Sequence, residues 1–157
     1  MRIWEGIEMQ LSFVRIPYKK LNGKQQEAYN FQKVSAVLAD FGYVTIRLSN
    51  DWNGADFIAQ LPDGATFIKV QLKGRLTFDM KYRDKDLYIC FRDGVYGPWY
   101  MYNHRDLLDK VEGRIEKSKT WMEDKPYHFT TLSNDLKKLL KPYLITVEGS
   151  TFEVEPS

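Results

Sequence analysis

The chain has 157 residues and a mass of 18.5 kDa, which fits one domain, and its 43% hydrophobic and 28% charged residues are the mixture of a globular protein rather than a disordered one. The 23 Lys and Arg against 21 Asp and Glu give a formal net charge of +2, too small for a protein that coats nucleic acid, so any nucleic-acid site must be a local patch. No apolar run is long enough to cross a membrane and the first ten residues do not resemble a secretory leader, so we expect a cytoplasmic protein with no membrane partner.

The first predicted element is a helix over residues 24–41, followed by Gly42 as its C-terminal cap. Its apolar residues recur at spacings of three and four: Phe31, Val34, Leu38 and Phe41. Extending this stripe back from Phe31 by four residues reaches Glu27. A carboxylate on an inward stripe needs a cation or a donor, whereas a frayed first turn would leave Glu27 merely favouring the helix start. The spacing leaves both interpretations open.

Strand patterns follow the helix. Residues 43–48 alternate with period two, residues 49–54 have the composition of a turn, and two strand-like runs at 56–61 and 66–73 flank the turn sequence Pro62-Asp63-Gly64-Ala65. The later predicted elements are strands at 86–91 and 99–102, a helix around Leu107, Leu108 and Val111, a short helix at 132–140 capped by Ser133 or Asn134, and a strand pair at 143–154. This order predicts an α/β domain with a central mixed sheet flanked by helices.

The predicted hairpin has a defined pairing. A turn centred on Asp63-Gly64 places Asp56 opposite Gln71. Because side chains alternate, one face forms a core wall that includes Phe57, Ala59, Leu61, Thr66, Ile68, Val70 and Leu72. The other face carries Asp56, Ile58, Gln60, Phe67, Lys69, Gln71 and Lys73. This second face is either an ordinary solvated sheet surface or a site.

Glu27 favours a site. A helix that packs on the sheet with an inward carboxylate could place Glu27 beside Asp56, with the Gln71 amide and the Lys73 amine in the same pocket. Two carboxylates and an amide oxygen suit a hard divalent cation, and the amine is then available for a phosphate or a water molecule. Metal-assisted phosphodiester cleavage is the chemistry that such a set favours.

These residues carry a resemblance to a known family. The strings Gly54-Ala55-Asp56-Phe57-Ile58-Ala59 and Val70-Gln71-Leu72-Lys73, preceded by a helix bearing Glu27, resemble the PD-(D/E)XK nuclease superfamily, which has the restriction-endonuclease-like fold. The likeness is greatest to the branch with Gln-x-Lys in place of Glu-x-Lys, as in group I intron-associated homing endonucleases. It covers residues 24–111 as a nuclease-like core, with 112–157 as a helical and strand extension of a single domain 1–157.

The resemblance implies a role for each site residue. Asp56 would bind Mg²⁺ or Mn²⁺, with Gln71 and the backbone carbonyl of Leu72 as further ligands. Glu27 would be the helix-borne acid of the Holliday junction resolvase-like members, and Lys73 would orient the attacking water and stabilise charge on the phosphate. The expected partner is duplex or branched DNA, and a homodimer is expected for double-strand cutting because one such site cuts one strand.

Two departures from the family pattern bear on activity. Ala55 stands where the motif has Pro, and Gln71 is neutral, so the site has one negative charge fewer than the Glu version and should bind Mg²⁺ more weakly. The alternative function is therefore a catalytically inactive nucleic-acid-binding or regulatory module on the same fold.

A basic segment follows the motif. Between residues 69 and 85, six basic residues stand against two acidic ones. The predicted nucleic-acid contacts are Lys69, Arg75, Lys81, Arg83 and Lys85, with the aromatic side chains of Trp52, Phe78 and Tyr82. A solvated charged loop explains the same pattern equally well.

Overall fold

The computed structural model describes residues 11–146, except the side chains of residues 51 and 52. The helices of this range are α1 (Gly23–Ala39), α2 (His104–Ile115), α3 (Lys119–Met122) and α4 (Asn134–Leu140), with single 3-10 turns at Tyr18–Lys20, Met80–Tyr82 and Lys141–Tyr143. The strands are β1 (Val44–Trp52), β2 (Ala55–Gln60), β3 (Phe67–Lys73), β4 (Thr77–Phe78), β5 (Tyr88–Arg92), β6 (Trp99–Asn103) and β7 (Tyr127–His128). No helix in the described ranges is long and apolar enough to span a membrane.

Five strands form the main sheet in the order β1-β2-β3-β5-β6. Strands β3 and β5 are parallel, and the other neighbours are antiparallel. The predicted central mixed sheet flanked by helices is therefore confirmed. Strands β4 and β7 form a separate two-stranded sheet that the sequence did not predict, because two-residue strands are too short to show a periodicity.

Helix α1 covers one face of the main sheet. It begins with a capping box, in which the Asn22 side chain accepts a hydrogen bond from the Gln25 amide and the Gln25 side chain accepts one from the Asn22 amide, both at 2.9 Å. Val34 and Leu38 are buried in one hydrophobic cluster with Phe57, Ala59, Val70, Cys90 and Trp99. The helix ends at Ala39, two residues before the predicted end, and Gly42 has a φ of 77°.

Helix α2 covers the opposite face. Its buried residues share a larger cluster with β5, β6, Leu76 and Phe78, and with Trp121, Leu136 and Leu140 from the C-terminal part of the chain. Asn103 caps the helix, and His104, its first residue, is fully buried. The Asp79 amide donates to Nε2 of His104 at 3.1 Å, so this histidine joins β6 and α2 to the segment after β4.

Strand β1 is longer than predicted. The strand continues through residues 49–52, which have turn composition, and the pairing with β2 shifts register between Arg47 and Trp52. The turn itself is confined to Asn53 and Gly54, with φ values of 56° and 87°. Residue pairs with two positive φ angles match the right-handed twist of a hairpin, and Asn-Gly is the preferred sequence for them.

The β1–β3 part of the sheet has an exposed apolar face. Thr45 points towards α1, where its hydroxyl lies 2.8 Å from that of Ser35. The alternating side chains of Val44 and Ile46 therefore point away from the helix and are 56% and 52% exposed, and Phe67 is 55% exposed. This part of the sheet packs against a helix on one side, in contrast to β5 and β6.

The C-terminal predictions are partly confirmed. Helix α4 forms, and Ser133 is its N-cap. Residues 143–146 do not form the predicted strand pair: Tyr143 ends a 3-10 turn, and Leu144 makes one isolated antiparallel bridge to Tyr100. The rest of the predicted pair, at 147–154, lies outside the described residues.

Candidate functional site

The β2–β3 hairpin has the predicted register. The opposed pairs run from Gln60 with Phe67 to Phe57 with Val70, which makes Asp56 and Gln71 the next positions. The regular pairing stops there, and the Asp56 carboxylate accepts a hydrogen bond from the backbone amide of Leu72 at 2.7 Å. The carboxylate thus takes the place of a backbone acceptor for the Leu72 amide, at the point where the pairing of β2 with β3 ends.

A cavity of about 590 Å³ opens at this end of the hairpin, between the first half of α1 and the sheet. The Glu27, Asp56, Gln71 and Lys73 side chains all line it, and so does Leu72. The charged residues of its wall are Glu27, Arg47, Asp56, Lys73 and Arg92. The wall therefore carries two carboxylates and three cationic side chains.

Gln71 and Asp56 fit a cation that prefers oxygen ligands. The Oε1 atom of Gln71 is buried and has no hydrogen-bond partner among the described residues. A buried amide oxygen without a partner is costly, and a hard cation or its bound water would remove that cost. No group of three or more His, Cys, Asp or Glu residues in the described ranges could hold a metal, so a cation here depends on the amide and backbone oxygens as well as the carboxylates.

Glu27 reaches the cavity but is not buried. Its side chain is 76% exposed, and its Oε2 atom lies 4.0 Å from Nη2 of Arg47. Of the two interpretations that the spacing leaves open, the inward stripe agrees with the position of Glu27 in the cavity lining, but its carboxylate is exposed, as the other interpretation expects.

Lys73 is the last residue of β3 and lines the cavity beside Gly74. Its charge also acts on His128 of β7, whose pKa is lowered first by burial and then by the charges of Arg75 and Lys73.

The basic segment does not form one continuous surface. Arg83 is ion-paired with Glu112, Lys81 lies 3.4 Å from Asp79, and the Lys85 amine lies 5.7 Å from the centre of the Tyr82 ring. Each of these three cationic side chains therefore interacts with another residue of the protein. Lys69 and Arg75 belong to the sheet face and the segment after it, and the Trp52 side chain is outside the described part of the structure.

The structure corrects two of the predicted aromatic contacts. Tyr82 is 2% exposed and Phe78 is 0% exposed, and both belong to the hydrophobic cluster beneath α2. Neither ring can stack on a base, because each is enclosed by the core. Alternating charged and aromatic residues have the same appearance in a stacking surface and in a turn that inserts its aromatic rings into a core.

Sequence reasoning missed several residues of the cavity wall, among them Arg47, Arg92, Asn30 and Tyr18. Arg47 and Arg92 bring cations to the wall, and Asn30 donates to the Tyr18 hydroxyl at 2.9 Å at its rim. The alternation in β1 placed Arg47 on the side of Tyr43 and Thr45, which is the side that α1 covers, and this was a usable signal. No local pattern marks Arg92 or the other two.

Comparisons with known proteins show little. No family model and no curated protein matches the sequence. Among solved structures, the chain is similar to Hjc, a Holliday junction resolvase from the archaeal hyperthermophile Archaeoglobus fulgidus, with 14% sequence identity and a TM-score of 0.35. The match covers 46% of this chain and 74% of that one.

Proposed function

We propose that this protein is a metal-dependent endonuclease that hydrolyses DNA phosphodiester bonds. The observation that carries the proposal is the buried Oε1 atom of Gln71, which has no hydrogen-bond partner within residues 11–146. Gln71 is the neighbour of Asp56 in the hairpin, and both line the cavity with Lys73. An oxygen pair and an amine in one open cavity provide a cation site and a phosphate-binding charge together.

The residues would act as follows. Asp56, Gln71 and the backbone carbonyl of Leu72 would hold Mg²⁺ or Mn²⁺, with Glu27 as the second carboxylate of the cavity. Such an ion, when bound, polarises the phosphate and makes a bound water a better nucleophile. The Leu72 amide fixes one oxygen of Asp56, so the carboxylate is held before a ligand arrives. Lys73 would orient the attacking water and offset the negative charge that develops on the phosphate.

The second candidate is a catalytically inactive nucleic-acid-binding or regulatory module on the same fold, called here the silent module. The neutral Gln71 and the exposed Glu27 favour it, because the cavity has fewer enclosed carboxylates than a strong Mg²⁺ site. Such a module would bind DNA in the cavity and on Lys69 and Arg75, without cleaving it.

Cleavage of supercoiled plasmid and of a four-way DNA junction, in Mg²⁺ or Mn²⁺, separates the two candidates. We expect Asp56→Asn and Lys73→Met to lower the rate by at least about a hundredfold, because each removes a group that acts on the reacting phosphate or water. Asp84→Asn and Lys117→Met make the same charge changes outside the cavity and should leave the rate unchanged.

Each outcome has a distinct meaning. Cleavage that survives both cavity substitutions contradicts the proposed site, and binding without cleavage in either metal supports the silent module. We also propose a homodimer for double-strand cutting: linear product formed directly from plasmid supports it, whereas nicked circles alone support a single-strand cut by one site.

A further inference from the structure

We infer that Arg47 and Arg92 bind phosphate groups of the polynucleotide on the two sides of the Asp56–Gln71–Lys73 cluster. This inference rests on the proposed function, since it requires a polynucleotide in the cavity. It moves the main phosphate contact away from the basic segment, because Arg47 and Arg92 line the cavity, whereas Lys69, Arg75, Lys81, Arg83 and Lys85 do not.

Arg47 forms one wall of the cavity. It is opposite Phe57 in the β1–β2 pairing, so its side chain lies on the α1 side of the sheet, one position along the hairpin from Asp56. Its guanidinium carbon is 5.7 Å from the centre of the Phe31 ring, which supports the side chain, and 47% of the side chain is exposed. The Glu27 contact at 4.0 Å is long and both partners are exposed, so it holds the guanidinium only loosely.

Arg92 forms the opposite wall. It is the last residue of β5, and β5 runs parallel to β3 with Phe91 beside Lys73, so Arg92 is level with Gly74, just past the motif. Its Nε atom donates to the Gly97 carbonyl at 2.7 Å, and its guanidinium carbon is 5.4 Å from the centre of the Trp99 ring. These contacts fix the direction of the side chain towards the cavity that it lines.

The two arginines lie on the strands that flank the hairpin. In the order β1-β2-β3-β5, three inter-strand spacings, about 14 Å in total, separate their strands, and Arg92 lies four residues further along β5 than Tyr88, the residue level with Arg47. Each guanidinium therefore approaches from its own side and serves a different phosphate group. A planar guanidinium with several donors matches the oxygens of a phosphate, which makes arginine suited to this contact.

The charges of the cavity agree with an anionic occupant. Three cationic side chains against two carboxylates leave the wall positive even without a metal. Without Arg47 and Arg92, Lys73 alone would face Glu27 and Asp56, and the wall would repel a phosphate chain. The arginines are thus the residues that make the cavity receptive to DNA.

Fluorescence anisotropy with a labelled short DNA duplex tests the inference, with Ca²⁺ in place of Mg²⁺ and over salt concentrations from about 50 to 200 mM. We expect Arg47→Gln and Arg92→Gln each to weaken binding about tenfold, and to reduce the slope of log affinity against log salt by about 0.9. Arg92→Lys, which keeps the positive charge, should weaken binding with little change in slope.

Arg114→Gln is the matched control, since it removes one exposed arginine from α2 outside the cavity. Thermal unfolding identifies any variant that fails to fold. If Arg92→Gln does not fold, the test relies on Arg47→Gln and Arg92→Lys. Affinities and slopes equal to those of Arg114→Gln, or no DNA binding by the native protein, overturn the inference. If Asp56-dependent cleavage persists in that case, the proposed function stands alone. Arginine-dependent binding without any cleavage has the opposite meaning: it supports the inference and contradicts the endonuclease.

Discussion

At the scale of single residues, Asp56 and Gln71 would divide two tasks in the proposed cation site. Asp56 supplies the charge and is held by the Leu72 amide at 2.7 Å. Gln71 would supply an oxygen without charge, and this buried oxygen has no hydrogen-bond partner in the described part of the chain. In the proposed site, the electrostatic attraction for a divalent cation would come mainly from one enclosed carboxylate, so metal affinity is the property that we expect a single substitution to change most.

Gln71→Glu should strengthen metal binding. The change keeps the shape of the side chain and adds a negative charge at the buried oxygen, so we expect half-maximal cleavage at a Mg²⁺ concentration about tenfold lower. Plasmid cleavage measured across a Mg²⁺ titration checks this. Gln32→Glu adds the same charge to the exposed surface of α1 and serves as the control. An unchanged Mg²⁺ requirement in Gln71→Glu would show that this side chain is not a ligand.

At the scale of elements, the turn between β1 and β2 determines where Asp56 lies. Gly54 precedes the strand by one residue and has a φ of 87°, and a Cβ atom at this position would lie 2.8 Å from Cε1 of the buried Tyr82. The ring of Tyr82 is enclosed by the core and cannot move aside at low cost. The turn is therefore restricted to glycine by both backbone conformation and space.

We expect Gly54→Ala to lower the free energy of unfolding by about 2–4 kcal/mol, from backbone strain and the clash together. Gly64→Ala is the matched variant, because Gly64 has a φ of 71° but open space around it, and it should cost only about 1 kcal/mol. Urea unfolding of both variants measures the difference. Equal losses would mean that the Tyr82 contact relaxes without cost.

The sequence predicted elements where local chemistry decides the outcome. The Asp63-Gly64 turn was enough to place Phe57 opposite Val70, and the α1 stripe was enough to find Val34 and Leu38. The sequence-based predictions failed where the position of a residue depends on contacts with segments distant in sequence. The burial of Tyr82 depends on α2, the β4–β7 pair joins segments about fifty residues apart in sequence, and the position of Arg92 depends on which strand lies beside β3.

At the scale of the whole molecule, the sheet separates two hydrophobic clusters, and buried His104 belongs to the larger side. Burial lowers its pKa to about 4, with the Asp79 carboxylate opposing this shift and Arg83 adding to it. The neutral ring accepts the Asp79 amide at Nε2, so protonation would also remove a hydrogen bond. The His104 ring is therefore protonated near pH 6.5 in the unfolded chain, but only near pH 4 in the folded protein.

The protein should lose stability through this histidine as the pH falls from about 6.5 towards 4. In that interval the unfolded chain binds more protons than the folded one, and the full loss amounts to about 3 kcal/mol. Urea unfolding at several pH values, for the native protein and for His104→Gln, isolates the contribution as the difference between them. This difference should shrink on acidification. His128→Gln, which changes an exposed histidine, should give a smaller trend, and parallel curves for His104→Gln would contradict the assignment.

Strands β1–β3 are covered by a helix on one face only, and this has a consequence for the order in which the proposed binding and cleavage would be lost on heating. β1 is an edge strand, it carries Arg47, and its outer apolar side chains are in water. Local opening of such a strand costs less than global unfolding, and it would withdraw Arg47 while Asp56 and Leu72 stay joined in the hairpin. For the proposed nuclease, warming would therefore weaken nucleic-acid binding through Arg47 before it disturbs Asp56 and Leu72, and the two proposed properties, binding and cleavage, would have separate thermal limits.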